Sequence, residues 1–219
     1  MQPKAIPEEP IVVAGIDVGG ERKGFHAVAL RKRVLFGQFA SADPAAVADW
    51  CREIGAMVIG VDAPCRWHQS GTTRVAETGL KREGGQCFST PTYEAAIAHP
   101  LNHYGWMLNG AKLFDQLETS HRLFGGNTAE LSGPVCFETF PQVIACALAG
   151  EIVSAKQKGR IRRELLIEAG IDISALSNID KVDAALCALS ARSLAISKFK
   201  AYGEAVSGFI VVPGETLSR

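Results

Sequence analysis

Apolar residues come in short runs along this chain, and three of those runs end on an acid. IVVAGID (residues 11–17), MVIGVD (57–62) and PVCFE (134–138) each carry an almost unbroken apolar stretch to a terminal carboxylate, with glycine or proline close behind. Runs of this length and continuity predict strands buried on both faces. GFHAVAL (24–30) and RVLFGQFA (33–40) predict two more strands. The connections among the first three are too short for a crossover, so they predict an antiparallel meander. Asp43-Pro44 then opens a helix, with Val47, Trp50, Cys51 and Ile54 at helical spacing and Gly55 as its stop. The strand at 57–62 follows that helix and is expected to run parallel to an earlier one, on a right-handed crossover.

From 63 to 133 the periodicity weakens. A short helix is predicted over 73–82 and a stronger one over 106–124, where Met107, Ala111, Phe114, Leu117 and Phe124 share a stripe before Gly125-Gly126. Between them QCFSTPTYEAAIAHP (86–100) reads as a loop, its prolines denying long regular structure. Helices are predicted over 141–149, 162–169 and 179–198, and a last edge strand over 208–213. No repeat or linker divides the chain. It therefore reads as a single domain over 1–219, with 1–10 a disordered lead-in and 63–133 an insertion carrying a lid-like loop. The order βββ-α-β-α-β-α predicts an α/β fold: a mixed five-stranded sheet, three antiparallel strands and then parallel ones, with flanking helices.

Composition narrows the picture only a little. The chain is 47% hydrophobic, enough for a sizeable core, and its 23 basic residues balance 23 acidic ones, so net charge argues for no partner. Neither a signal peptide nor a run of about 20 apolar residues is present, which excludes a membrane span and predicts a cytoplasmic protein. The six cysteines lack paired spacing and read as buried free thiols, Cys65 among them; no zinc pattern includes the histidines.

The terminal acids carry the chemistry. If the first and fourth strands are parallel neighbours, Asp17 and Asp62 share one end of the sheet, and Glu138 is expected there too, on the rim where open α/β sheets place ligands. Close carboxylates repel one another, and a hard divalent cation offsets that repulsion, which implies Mg²⁺ or Mn²⁺. In SNIDKVDAAL, Asp180 and Asp183 lie three residues apart at a helix start, where Asp183 can be aimed at the same rim and Asp180 also suits the helix dipole. Arg22 and Lys23, in the turn after Asp17, are phosphate candidates. Arg74 and Glu77 fall on the helix after the fourth strand, either with Arg74 to contact phosphate and Glu77 to hold it or a metal water, or as an exposed helical ion pair. KQKGRIRR, with Lys156 and Arg160, is the densest basic run and a candidate backbone contact. Ser89, Thr90 and Thr92 fall in the lid-like loop, while Arg31-Lys32-Arg33 turns at the far end and faces solvent.

GIDVGG, VIGVDAPCRW, TRVAETGLKREG, CFSTPT, FETFPQV, IDKVDAALCALSA and GFIVVPGE, in this order and spacing, resemble the domain-of-unknown-function family four-two-nine, described as predicted RNase H-like nucleases. The DKVD stretch also resembles the last acidic motif of Holliday-junction resolvases. The resemblance implies an RNase H-like fold and a metal-dependent nuclease acting on RNA or DNA, with Asp17, Asp62, Glu138 and Asp183 as its acidic positions. Two alternatives stay open. GIDVGG also resembles the first phosphate loop of sugar-kinase and actin-like phosphotransferases, and the fold can serve as a non-catalytic scaffold.

Overall fold

The computed structural model describes residues 11–69, 73–83, 85, 87–127 and 133–214; the expected lead-in at 1–10 lies outside them. β1 (Val12–Val18), β2 (Phe25–Arg31) and β3 (Val34–Ser41) form the antiparallel meander. α1 (Pro44–Glu53) starts as its sequence predicts, with the Asp43 carboxylate accepting from the Ala45 amide at 2.9 Å and proline at the first helical position. It returns the chain to β4 (Ala56–Asp62), which lies parallel to β1.

α2 (Val75–Arg82), α3 (Tyr93–Ala98) and α4 (Gly105–Leu117) follow. α3 lies inside the stretch expected to be a loop, and the Thr92 hydroxyl caps it by accepting from the Ala95 amide at 3.2 Å. α4 stops seven residues before Phe124. Thr119 and Ser120 hydroxyls donate to the carbonyls of Gln116 and Leu117, ending the helix, and the chain re-enters the sheet as the two-residue β5 (Arg122–Leu123). Phe124 is buried as the helical spacing implies, but beside Phe199 and Phe209.

β6 (Val135–Glu138) runs parallel to both β4 and β5, and α5 (Pro141–Ala149) leaves it. After a 3₁₀ turn, α6 (Lys158–Glu168) begins four residues earlier than expected, so the basic run supplies its first turns. α7 (Ile179–Ala195) ends before β7 (Phe199–Glu204), a strand its mixed sequence does not announce, and β8 (Gly208–Pro213) closes the sheet.

The strand order is β3-β2-β1-β4-β6-β8-β7, with β5 beside β6, eight strands among the described residues in place of the expected five. β8 is internal, flanked by β6 and β7, so the edge belongs to β7. The core of this order, an antiparallel meander continued by parallel strands, is the RNase H-like arrangement anticipated from the sequence.

Helices cover both faces. Val13, Val58 and Phe137 pack with α5, α6 and α7, whereas Ala14, Ile16, Ile59 and Val61 pack with α1 and α4. α7 lies almost on the strand backbones. A methyl at Gly15 would sit 2.1 Å from the Ala184 carbonyl oxygen and the Ala188 nitrogen, and one at Gly60 would sit 2.7 Å from the Cys187 oxygen. Glycines below and small helical residues above let the two elements approach this closely.

Candidate metal centre at the carboxyl ends of β1 and β4

Asp17 and Asp62 are direct register partners, each near the carboxyl end of its strand. Neighbours in register project from the same face of a sheet. Two residues back, Gly15 and Gly60 face α7, so both acids point to the α7 side. Asp180, in the first turn of α7, and Asp183, one turn on, line the same cavity of about 530 Å³. Lys23, Gln142, Lys158 and Arg162 line it too, and Phe88 and Trp106 supply an aromatic wall. The Asn178 side chain fixes the helix start by accepting from the Lys181 amide at 2.9 Å.

The electrostatics match acids converging where burial limits their solvation. Burial lifts Asp17 from the ordinary 3.8 to about 6, opposed by the Lys23 charge and reinforced by Asp183 and Asp180. Asp62 is held well above the usual carboxylate range by withdrawal from water and then by Asp17 and Asp183. Burial raises Asp183 as well, against the opposing pull of Arg162. Two side-chain cations meet this charge. Lys23 Nζ lies 2.7 Å from Asp180 Oδ1 and 3.5 Å from Asp17 Oδ2. Arg162 donates to Asp183 at 2.5 Å and to Gln142 Oε1 at 3.1 Å.

His26 joins them. It is the β2 register partner of Asp17, and its Nδ1 lies 4.0 Å from Asp180 Oδ2 with no hydrogen-bond partner among the described residues. Burial lowers its pKa below the ordinary 6.5, favouring the neutral imidazole that can ligate a metal. Asp17, His26 and Asp180 can each bring one donor atom within 4.8 Å of the others. This set of carboxylate oxygens and one imidazole nitrogen fits a hard or borderline divalent ion such as Mg²⁺ or Mn²⁺.

Glu138 is not brought to this site. Its register partner on β4 is Val61, not Asp62, and that one-residue offset turns the side chain to the opposite face. There it is fully buried, accepting from Arg74 Nη1 and Nη2 at 2.9 and 2.5 Å and from the Cys65 amide at 2.9 Å. Arg74 is therefore an internal partner rather than a phosphate contact. Glu77 completes the same network, accepting from the Thr90 amide at 2.9 Å and from Arg74 at 3.4 Å. Thr90, expected on the lid, is buried there with them, and Arg74 also reaches the Ser207 carbonyl at 3.1 Å.

The basic candidates divide. Lys23 enters the cavity, but Arg22 stays exposed in the turn outside it. Lys156 and Arg160 are exposed and do not line the cavity, and Arg160 pairs with Glu164 at 2.8 Å. Their neighbours Lys158 and Arg162 do line it. Arg162 had a legible signal, since it shares the buried stripe of α6 with Leu165 and Leu166, a lone cation on an apolar face. His26 had a fainter one, interrupting an apolar strand opposite Asp17.

Sheet order and rim together define an RNase H-like α/β protein with an acidic pocket at the ends of its central parallel strands. The chain belongs to the family described as "Protein of unknown function (DUF429)", matched over residues 15–206. No curated protein matches it. A solved structure, described as "Thermus thermophilus RuvC structure", is similar at 17% identity and a TM-score of 0.40, over 82% of this chain and 92% of that one.

Proposed function

We propose that the protein is a divalent-metal-dependent nuclease that hydrolyses phosphodiester bonds in RNA or DNA at the Asp17–Asp62–Asp183 rim. The observation that carries this reading is the register pairing of Asp17 with Asp62, with two acids of α7 opening into the same cavity. Asp17, Asp62, Asp180 and Asp183 would hold Mg²⁺ or Mn²⁺, with His26 an additional donor. Such an ion supplies water activation and neutralisation of the charge that builds on the phosphate. The chain's own groups do the rest. Lys158 and Arg162 offer positive charge to phosphate, and Gln142 orients Arg162 by accepting its hydrogen bond. Lys23 keeps the acids together until a cation takes its place between Asp17 and Asp180.

Part of the turn after β1 is unsuited to the phosphotransferase alternative. The Gly19 amide donates to the Gly24 carbonyl at 2.8 Å, and the Lys23 and Gly24 amides both donate to the Gly20 carbonyl at 2.9 Å. These N–H groups close the turn on itself and are not free to cradle a phosphate. No helix among the described residues is long and apolar enough to cross a membrane, and all six cysteines are free.

The test is cleavage of labelled oligonucleotides by wild type and Asp62→Asn. Wild type should cut with Mg²⁺ or Mn²⁺ and stop in EDTA, and Asp62→Asn should lose at least about 100-fold, the scale at which removing a key charge-stabilising group acts. Cutting that survives EDTA, or an Asp62→Asn variant as active as wild type, rules the mechanism out.

A further inference from the structure

Phe88 is 64% exposed, yet it stands on the wall of the acidic cavity rather than at a loop tip remote from it. Its ring meets Trp106 edge-on, with centroids 6.0 Å apart and planes at 64°. Trp106 is itself half-buried, seated between the two apolar cores, so its position is set by the body of the fold. Phe140 continues the same lining, and Lys158 and Arg162 enter the cavity from α6. One pocket thus joins an open aromatic face, a rigid aromatic behind it, cations and a carboxylate cluster.

These features answer the parts of a nucleotide. The cations match a phosphate, the acids match a metal-held reacting phosphate, and a protruding ring matches the flat face of a base. A base inside a duplex has both faces covered by its neighbours; away from a duplex end, only an unpaired or splayed base can offer one to Phe88. The cavity, about 530 Å³, is within the 300–1,000 Å³ range of pockets for small ligands and suits one nucleotide, not a double helix.

We propose that this pocket takes a single unpaired nucleotide, its base stacked on Phe88 with Trp106 as backing, and so directs the protein to single-stranded nucleic acid. The assignment rests on the nuclease reading for its chemistry, but its binding half stands apart from catalysis. Stacking on an aromatic side chain is worth about 1–3 kcal/mol per base, or roughly ten- to a hundred-fold in affinity.

The experiment measures binding of a short fluorescent single strand, and of the same sequence as a blunt duplex, in Ca²⁺ by anisotropy. Cleavage of both is followed separately in Mn²⁺. The proteins are wild type, Phe88→Ala, Phe88→Leu and Phe88→Tyr. Single strand should bind at least about ten-fold tighter than duplex. Phe88→Ala and Phe88→Leu should each lose about ten-fold or more for single strand, whereas Phe88→Tyr should keep wild-type affinity. Rescue by Leu as well as Tyr would show that apolar bulk suffices and would overturn stacking. Equal affinity for the two probes, or no loss in Phe88→Ala, overturns the proposal even where Mn²⁺-dependent cleavage persists. Stacking-dependent binding without any cleavage upholds the base site and removes the nuclease reading instead.

Discussion

Asp17 shows what it costs to bury one acid beside others. Its carboxyl is lifted from 3.8 to about 6, so the folded chain keeps a proton that the unfolded chain releases. For a raised acid, the folded state is unpenalised below about pH 3.8, loses stability as pH climbs through the window to 6, and bears the whole penalty above it. For Asp17 the penalty is on the order of 3 kcal/mol. The variant Asp17→Asn cannot ionise and escapes it. In EDTA, Asp17→Asn should therefore melt close to wild type near pH 4 and several degrees higher at pH 7–8. Equal melting temperatures across that range would mean that Asp17 is better solvated than its 5% exposure implies. Glu138 makes the opposite case. A fully buried acid gripped by Arg74 and a backbone amide resembles the Asp17 kind in sequence, since both end an apolar run. The sequence names both acids but not the face each takes, because that face depends on register between strands separated by 72 intervening residues (Val61 and Glu138 pair across β4 and β6).

Among the elements, α7 decides whether a site exists at all. It carries two of the four acids, and only its close seating over Gly15 and Gly60 lowers them to the rim. Gly15→Ala drives a methyl to 2.1 Å from helix backbone that has no rotamer to yield, so α7 must lift or the strand must bow. Overpacking of this kind costs about 1–3 kcal/mol. The expectation is a lowered melting temperature together with weakened Mn²⁺ binding by calorimetry, while Gly20→Ala, with nothing within 4 Å of the new methyl, changes neither. A Gly15→Ala protein with wild-type stability and metal affinity would show that α7 rides higher than described. The same elements show why parts of the fold were legible. β1, β4 and β6 announce themselves because strands covered on both faces must be apolar throughout. β7, FKAYGE, is an edge strand with exposed positions and no clear alternation, so nothing in it separates strand from loop. Phe124 misleads for a related reason: its spacing from Leu117 suits a helix, but burial is all the spacing reports, and the segment just past β5 buries it equally well.

Taken whole, the molecule is neutral, with 23 basic against 23 acidic residues, whereas its cavity carries one more acid than it has cations. Asp17, Asp62, Asp180 and Asp183 face Lys23, Lys158 and Arg162. A polyanion approaching this pocket meets cations already engaged by acids: Lys23 by Asp180 and Asp17, Arg162 by Asp183. Divalent ions change the balance. Each one neutralises carboxylates and frees a basic side chain for phosphate, so metal and nucleic acid must bind with positive coupling, each raising the affinity of the other by the same factor. The acids and the basic run could both be read from the chain, but not their mutual occupation, which needs α6 to start at Lys158 and present Arg162 inward. Affinity for a short single strand should accordingly rise by about ten-fold or more from EDTA to millimolar Ca²⁺, a coupling of about 1.4 kcal/mol. Ca²⁺ should in turn bind more tightly when the strand is present. In Lys23→Gln the metal no longer has to displace a resident cation, so ion affinity should increase while its effect on strand binding shrinks. A strand affinity identical in EDTA and Ca²⁺ would mean that the carboxylates hold no ion, and would leave Lys23 and Arg162 as permanent struts of the rim.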